Sequence, residues 1–230
     1  MRQLFLVLSI FGLLLAPAAN AEEGSVVIEL YTSQGCSSCP PADEMLYDLA
    51  KRDGVIALAL HVDYWDYLGW KDGFARPQFT SRQHGYAQAA RATTVYTPQM
   101  VINGQDMVVG SRAMQVMDAL ENHRGHVMPV SVSLSRRGDV LRIVAETEAY
   151  GDFIVQMVRY LPEATVDVRH GENAGRTLTY SNIVTSWEAI SRWDGRAPFA
   201  MEIEVAGDSP VVVLVQHRGF GPIVGAAQLR

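Results

Sequence analysis

The stretch VVIELYTSQGCSSCPPAD, residues 26–43, indicates how the first half of the chain folds. Val26–Tyr31 is mainly apolar, which is typical of a strand in a sheet that is covered on both faces. Pro40–Pro41 suits the first turn of a helix, and Ala42–Lys51 continues with apolar residues at helical spacing. A C-x-x-C motif therefore lies between a buried strand and the start of a helix.

Strand and helix patterns alternate from this stretch to about Gly125. Three further strands and two helices are predicted there: Val55–Val62, Gln99–Ile102, Met107–Val109, residues 78–91 and residues 112–123. After Pro129 the apolar residues recur at every second position, and turn signals separate the short runs. This change of period predicts an α/β domain over residues 22–126 and an all-β, sandwich-like domain over residues 127–230.

The N-terminus has the features of a secretory signal peptide, residues 1–21. Arg2 is a short basic region, Leu4–Ala16 is an apolar run, and Ala19–Ala21 is a small-x-small cleavage site. The apolar run is shorter than the roughly 20 residues that span a bilayer. We therefore expect cleavage after Ala21, export to the periplasm or the extracellular space, and no retained membrane span.

The composition excludes several classes of protein. The chain has 230 residues, of which 48% are hydrophobic and 19% are charged, as in a globular protein rather than a collagen-like or disordered one. It carries 19 Lys and Arg residues against 25 Asp and Glu residues, a formal net charge of −6, without a basic cluster. Because nucleic-acid binding needs a basic surface, we expect no nucleic-acid partner.

Cys36 and Cys39 are the only cysteines of the chain. In an exported protein they can form one disulfide bond, but a bridge across so short a loop adds little stability. Redox chemistry or metal binding therefore explains the pair better than stapling does. Backbone N–H groups at a helix N-terminus stabilise a thiolate. We expect Cys36 to be the accessible thiol of low pKa and Cys39 the more buried, resolving thiol.

At this point the chain resembles the thioredoxin-like superfamily. The resemblance rests on the first strand, the C-x-x-C motif and the run from Val95 through Pro98 to the turn Asn103–Gly104. It implies a thioredoxin-like fold for the α/β domain and a cis peptide bond before Pro98, which would lie against the sulfurs. It also implies that Thr97 offers backbone groups to an extended substrate, and that a buried acid accepts a proton. Glu29 takes that last role if the loop carries one extra residue; the alternative is a strand residue that faces a polar edge or forms a salt bridge.

More narrowly, the chain resembles a family of secreted bacterial proteins labelled as a domain of unknown function. The matching segments are residues 31–43, 61–66, 97–99 and 175–179. This resemblance implies a fold without an activity. The aromatic and acidic segment Asp63–Trp70 follows a strand at the sheet edge where ligand sites cluster. Its Trp65 is either a substrate-binding residue beside the thiols or a plug between the loop and the core.

Three functions fit these observations. The leading hypothesis is an exported thiol–disulfide oxidoreductase without an organic cofactor, acting on thiols or disulfides of proteins or small molecules. Cys36 and Cys39 exchange disulfides in it, and Pro98 with Thr97 orients the partner. The second is copper or zinc handling by the two cysteines and His61, because thiolates select those ions. The third is a non-catalytic binding module in which the Cys36–Cys39 bridge is structural.

Overall fold

The structure is a computed structural model that describes residues 18–20 and 25–230. Within these residues the chain forms twelve strands and three α-helices. The strands are β1 (Ala18–Asn20), β2 (Val26–Thr32), β3 (Val55–His61), β4 (Gln99–Ile102), β5 (Asp106–Val109), β6 (Val130–Arg137), β7 (Val140–Thr147), β8 (Phe153–Asp167), β9 (Thr177–Trp193), β10 (Phe199–Glu204), β11 (Val211–His217) and β12 (Ile223–Leu229). The helices are α1 (Pro40–Leu49), α2 (Pro77–Ala89) and α3 (Ala113–His123).

The predicted signal peptide, with its cleavage site after Ala21, lies outside the described residues apart from β1. No helix in the described part of the chain is long and apolar enough to cross a membrane. A short 3₁₀ turn, Asp66–Leu68, lies between β3 and α2.

Two sheets organise the described residues. The large sheet has eight strands in the order β12-β11-β8-β9-β3-β2-β4-β5, and the second sheet has the order β1-β6-β7-β10. In the large sheet β2 pairs parallel with β3, and β3 pairs parallel with β9, while the other neighbours run antiparallel. The second sheet is antiparallel throughout. The protein is therefore a mixed α/β structure with a large mixed sheet and a second, antiparallel sheet.

Strand β2 is buried along its whole length because both faces of the sheet are covered there. On one face, Ile28 and Leu30 belong to a core that includes residues of α1 and α3. On the other face, Val27 and Tyr31 pack in a core that includes Phe79 of α2. Since side chains alternate along a strand, Glu29 lies on the same face as Val27 and Tyr31. That face is opposite to α1.

The two halves of the chain share the large sheet. Strand β3 of the first half pairs with β9 of the second half at Ala59 and Ile183. The core on the α2 side also contains side chains from β8 and β11, including Val158 and Leu214. A further apolar core lies between the second sheet and strands β8, β11 and β12. The predicted boundary between the two domains, at residues 126 and 127, falls after α3. One sheet and one core contain residues from both sides of this boundary, so the division into two domains stays a prediction.

Candidate functional site

The two cysteines lie at the N-terminus of α1 and are joined by a disulfide bond. Cys39 is the N-cap residue, and its carbonyl oxygen accepts hydrogen bonds from the N–H groups of Ala42 and Asp43 at 2.8 and 3.1 Å. Pro40 follows in the first turn, where the missing N–H of a proline removes no helical hydrogen bond. The pair therefore occupies the strand-to-helix connection that the sequence predicts.

Both cysteines are buried in this disulfide form. Cys36 and Cys39 are each 0% exposed, whereas Ser37 and Ser38 between them are exposed. The expectation that Cys36 is the accessible sulfur is therefore wrong for this form. The physical reason is that a segment from the second half of the chain lies over the loop before α1.

That segment, residues 168–176, connects β8 to β9 and is called the cover segment below. Its Asn173 is buried, and the side-chain amide donates to the main-chain carbonyls of Gln34 and Cys36 at 3.0 and 2.9 Å. Arg176 donates to the side-chain oxygen of Asn173 at 3.0 Å, which fixes the orientation of the amide. Asn173 therefore ties the cover segment directly to Cys36.

Two further contacts hold the cover segment over the loop. The Glu172 carboxylate accepts a hydrogen bond from the N–H of Ser37 at 3.1 Å. The Ser37 hydroxyl, together with this bond, lowers the pKa of the exposed Glu172. Trp70 donates from its indole N–H to the side-chain oxygen of Gln34 at 2.7 Å, and its ring lies 6.3 Å from that of His170. The segment after β3 and the cover segment thus meet beside the loop that carries Cys36.

The Thr97–Pro98 peptide bond is cis, which confirms the expectation from the sequence. The Thr97 carbonyl accepts a hydrogen bond from the Ser38 hydroxyl at 3.5 Å. The carbonyl of Pro98 accepts one from Gly110 at 2.9 Å. A side chain at Gly110 would bring its Cβ within 3.3 Å of Pro98 and 3.2 Å of Ala42, the third residue of α1. The proline loop therefore packs closely against the start of α1.

Trp65 lies between the loop before α1 and the proline loop. Its indole N–H donates to the Thr97 hydroxyl at 2.8 Å. A Cβ at Gly35 would stand 3.1 Å from the Cβ of Trp65, so the glycine permits this close approach. Trp65 is half-buried and also packs against the core on the α2 side. Trp65 therefore borders the disulfide loop and also fills space beside the core. Its position is compatible with both interpretations from the sequence, a substrate-binding residue and a plug.

Glu29 has partners that hold it away from the cysteines. Arg82 donates to both carboxylate oxygens at 2.7 and 2.9 Å, and the hydroxyls of Tyr86 and Tyr31 donate at 2.6 and 3.0 Å. Because these groups surround it on the face opposite to α1, Glu29 forms a buried ion pair with Arg82. The structure does not bring this acid to the disulfide.

A buried polar cluster lies on the α1 side instead: Thr32, Asp43, His61, Asp72 and Tyr180. Asp43 of α1 is 5% exposed, and neither carboxylate oxygen has a hydrogen bond of good geometry among the described residues. Burial raises the pKa of Asp43 to about 7, although His61 and the nearby Thr32 hydroxyl act in the opposite direction. Asp43 is therefore an acid that exchanges its proton near neutral pH.

Asp72 holds His61 within this cluster. The His61 Nδ1 and an oxygen of Asp72 are 2.7 Å apart, and Asp72 also accepts from the N–H groups of Gln34 and Phe74 at 2.9 Å. Burial tends to raise the pKa of Asp72, but His61 and these hydrogen bonds outweigh it and lower the pKa. Asp72 is thus a carboxylate at neutral pH, and it orients the imidazole.

The predicted site residues separate into two groups. Cys36, Cys39, Thr97, Pro98 and Trp65 come together around the start of α1. The alternative metal-ligand set of the two cysteines and His61 is not assembled, since no group of three or more His, Cys, Asp or Glu side chains in residues 18–20 and 25–230 is placed to hold a metal ion.

Sequence reasoning missed Asp43 and Asn173. The available signal for Asp43 was its spacing, because a residue four positions after Cys39 lies on the same face of a helix. For Asn173 the signal was weaker, namely the polar turn beside the matching segment 175–179. The contact of Asn173 with Cys36 spans 137 residues of sequence, which no local pattern reveals.

The similarity to known proteins extends over all the residues of the site described above. The family model described as "Protein of unknown function (DUF1223)" matches residues 27–216. Among curated proteins, none matches the sequence. A crystal structure of a protein from Agrobacterium tumefaciens is similar, with 35% sequence identity and a TM-score of 0.78. The similarity covers 91% of this chain and 96% of that chain.

Proposed function

The chain belongs to the DUF1223 family of proteins of unknown function, and from its site we propose that it is an exported thiol–disulfide oxidoreductase. We propose with it that residues 22–126 have a thioredoxin-like fold and residues 127–230 a sandwich-like one. Support for the first comes from the strand order β3-β2-β4-β5, in which β3 is parallel to β2 and both β4 and β5 follow the proline loop.

One observation carries the proposal: the Cys36–Cys39 disulfide stands at the start of α1, beside the loop of Pro98. Free N–H groups and the helix dipole at that end stabilise a Cys36 thiolate once the disulfide is reduced. The proline loop offers main-chain groups at Thr97 to an extended partner. The disulfide is itself the redox group, so the reaction uses no organic cofactor.

The exchange moves two electrons between the cysteine pair and a partner. In the reducing direction, the Cys36 thiolate attacks one sulfur of a partner disulfide, and the other partner sulfur leaves as a thiolate. Cys39 then attacks Cys36, which restores the protein disulfide and releases the second partner thiol. The opposite direction reverses each step. Partners are thiols or disulfides of proteins or of small molecules.

A second candidate is a binding module with a structural disulfide. The observation that favours it is the complete burial of both cysteines under the cover segment. In the proposed enzyme the cover segment has to move before a partner sulfur reaches Cys36. Copper or zinc handling has weaker support, because the two sulfurs are joined in a disulfide and no group of three or more His, Cys, Asp or Glu side chains in the described residues is placed to hold a metal ion.

The reduction potential of the pair separates the first two candidates. Equilibration with glutathione redox buffers should give a potential above about −300 mV for a redox-active pair, whereas a structural bridge lies below that value. Metal content of the reduced protein, measured alongside, tests the third candidate.

Trapping of partner proteins in mixed disulfides tests the separate roles of Cys36 and Cys39. Replacing Cys39→Ser should leave Cys36 joined to partner proteins in adducts that dithiothreitol removes, because the resolving thiol is missing. The Cys36→Ser control should give none. A potential below about −300 mV, with equal adduct yields from the two variants, would contradict the oxidoreductase proposal.

A further inference from the structure

Asp43 is a buried acid that the exchange scheme above leaves without a role. It follows Cys39 by four residues on α1, so both lie on one face of the helix, and its N–H donates to the Cys39 carbonyl at 3.1 Å. Its carboxyl oxygens have no hydrogen bond of good geometry among the described residues, although the Thr32 hydroxyl is close enough to act on them. Burying a carboxylate without donors is costly, so this side chain favours the state that holds a proton.

Every element packed around Asp43 contributes a titratable or polar group. His61 comes from the end of β3 and Asp72 from the segment before α2, while Glu44 is the next residue on α1. Tyr180 of β9 and Thr32 of β2 complete the surroundings. His61 and Thr32 favour the charged carboxylate, and Asp72 and Glu44 disfavour it, but burial has the largest effect and brings the pKa of Asp43 to about 7.

One ring nitrogen of His61, the histidine of the cluster, also lacks a hydrogen-bond partner among the described residues. Because the Asp72 carboxylate only accepts, it assigns the proton of the ring to Nδ1 of His61. The other ring nitrogen, Nε2, is buried and has no partner within the part of the chain that the structure describes. The Asp43 carboxyl group and the His61 Nε2 atom are thus buried polar groups without a hydrogen bond of good geometry among the described residues.

We propose that Asp43 accepts and returns the proton of the Cys39 thiol, and that the His61–Asp72 pair acts as a positioning unit for it. The inference rests on the proposed function and deepens it. It also replaces Glu29, whose ion pair with Arg82 engages both oxygens, as the proton acceptor of this site.

The step balances in atoms and electrons. In the mixed disulfide between Cys36 and a partner, the Cys39 thiol gives its proton to the Asp43 carboxylate, and the Cys39 sulfur attacks the Cys36 sulfur. The bond from Cys36 to the partner breaks, and the partner sulfur leaves as a thiolate with the electron pair of that bond. Asp43 then releases the proton to solvent. In the opposite direction Asp43 protonates Cys39 as it leaves.

The test uses oxidised glutathione as the partner disulfide and follows one turnover of the reduced protein. Acid quenching and mass spectrometry give the rates at which the Cys36–glutathione adduct forms and disappears. Asp43→Asn should form the adduct at the wild-type rate but keep it on the order of 100-fold longer at pH 8, as for loss of a general base. Asp48→Asn removes an exposed acid of the same helix that does not act on Asp43, and it should leave both rates unchanged.

The pH profile supplies a readout that a purely structural role would not move. The wild-type rate of adduct loss should rise through an inflection near the pKa of Asp43, about 7, and Asp43→Asn should lack it. Since His61 lowers the pKa of Asp43, His61→Asn should move the inflection to higher pH. Asp43→Glu, which keeps a carboxyl group, should restore part of the rate if Asp43→Asn folds poorly.

Two results would overturn the inference in different ways. Equal adduct lifetimes and pH profiles for wild type and Asp43→Asn would reject the role of Asp43 and leave the oxidoreductase proposal standing. If reduced wild type forms no adduct at Cys36, even when Asn173→Ala loosens the cover segment, both the proposed function and the role of Asp43 fall.

Discussion

At the residue scale, Glu29 and Asp43 are two buried acids whose partners give them opposite properties. Glu29 accepts charge-assisted hydrogen bonds from a guanidinium group and further hydrogen bonds from two hydroxyls. Asp43 has no guanidinium partner and no hydrogen bond of good geometry in the described part of the chain. The sequence could indicate that Glu29 is buried, but its partner Arg82 is 53 residues away, so only the folded chain shows which acid is left unpaired.

The acid–base state of Asp43 predicts how stability depends on pH. Its pKa is about 7 in the folded protein and 3.8 as the ordinary value, so the folded state binds more protons between these two values. Stability from this group is therefore full below about pH 4 and is lost as the pH rises to about 7. The free energy of unfolding of Asp43→Asn, relative to that of wild type, should therefore rise by about 4 kcal/mol between pH 4 and pH 8.

Urea unfolding of the disulfide forms at pH 4, 6 and 8 measures this difference. Asp48→Asn is the matched control, because Asp48 is an exposed acid on the same helix that does not act on Asp43. The interpretation of Asp43 is wrong if the difference between Asp43→Asn and wild type does not change with pH.

At the scale of elements, local periodicity located the parts that surround the disulfide. The predicted strand Gln99–Ile102 is observed with the same bounds, and the strand predicted over Val55–Val62 ends one residue earlier. Ile183–Trp193 fits the period of either a helix or a strand in the sequence. It is strand because it pairs along β8, a partner that local spacing cannot reveal. For the same reason the cover segment could not be predicted from its own residues.

The cover segment should control how fast the disulfide is reduced. Asn173→Ala removes the hydrogen bonds to the carbonyls of Gln34 and Cys36, each worth about 1 kcal/mol. Opening of the segment should therefore become easier, and reduction by dithiothreitol should accelerate roughly tenfold or more. Thr177→Ala, just beyond the segment, removes only an exposed bond to Asp167 and is the matched control.

Quenching with an alkylating agent and counting the labelled thiols by mass spectrometry gives the rate of reduction. Equal rates for Asn173→Ala, Thr177→Ala and wild type would mean that Asn173 does not limit access to Cys36.

At the scale of the whole molecule, one sheet and one core join the two halves of the chain. The edge of β3 is paired by β9, and the core beside α2 contains side chains from β8 and β11. A change of hydrophobic period located the boundary, but it gave no sign of this sharing, because strand pairing between distant segments leaves no local pattern. The cysteine site likewise draws residues from both halves.

This sharing predicts that the halves unfold together. Hydrogen exchange in urea should give the same midpoint for amides of β2 and of β11, since each half covers apolar surface of the other. A fragment of residues 22–126 should bind the dye 8-anilinonaphthalene-1-sulfonate more strongly than the full chain does, because the core beside α2 becomes exposed. Separate midpoints, together with a fragment that binds no dye, would indicate independent domains instead.

The contact between Asn173 and Cys36 also sets an order of events during synthesis. A chain is made from its N-terminus, at roughly 5–20 residues per second, so both cysteines exist for several seconds before Asn173 has been added. During that interval no residue of the β8–β9 connection can lie over them. The two thiols are thus easier to reach before the second half has folded than afterwards, and a disulfide formed before that point becomes enclosed when the second half folds.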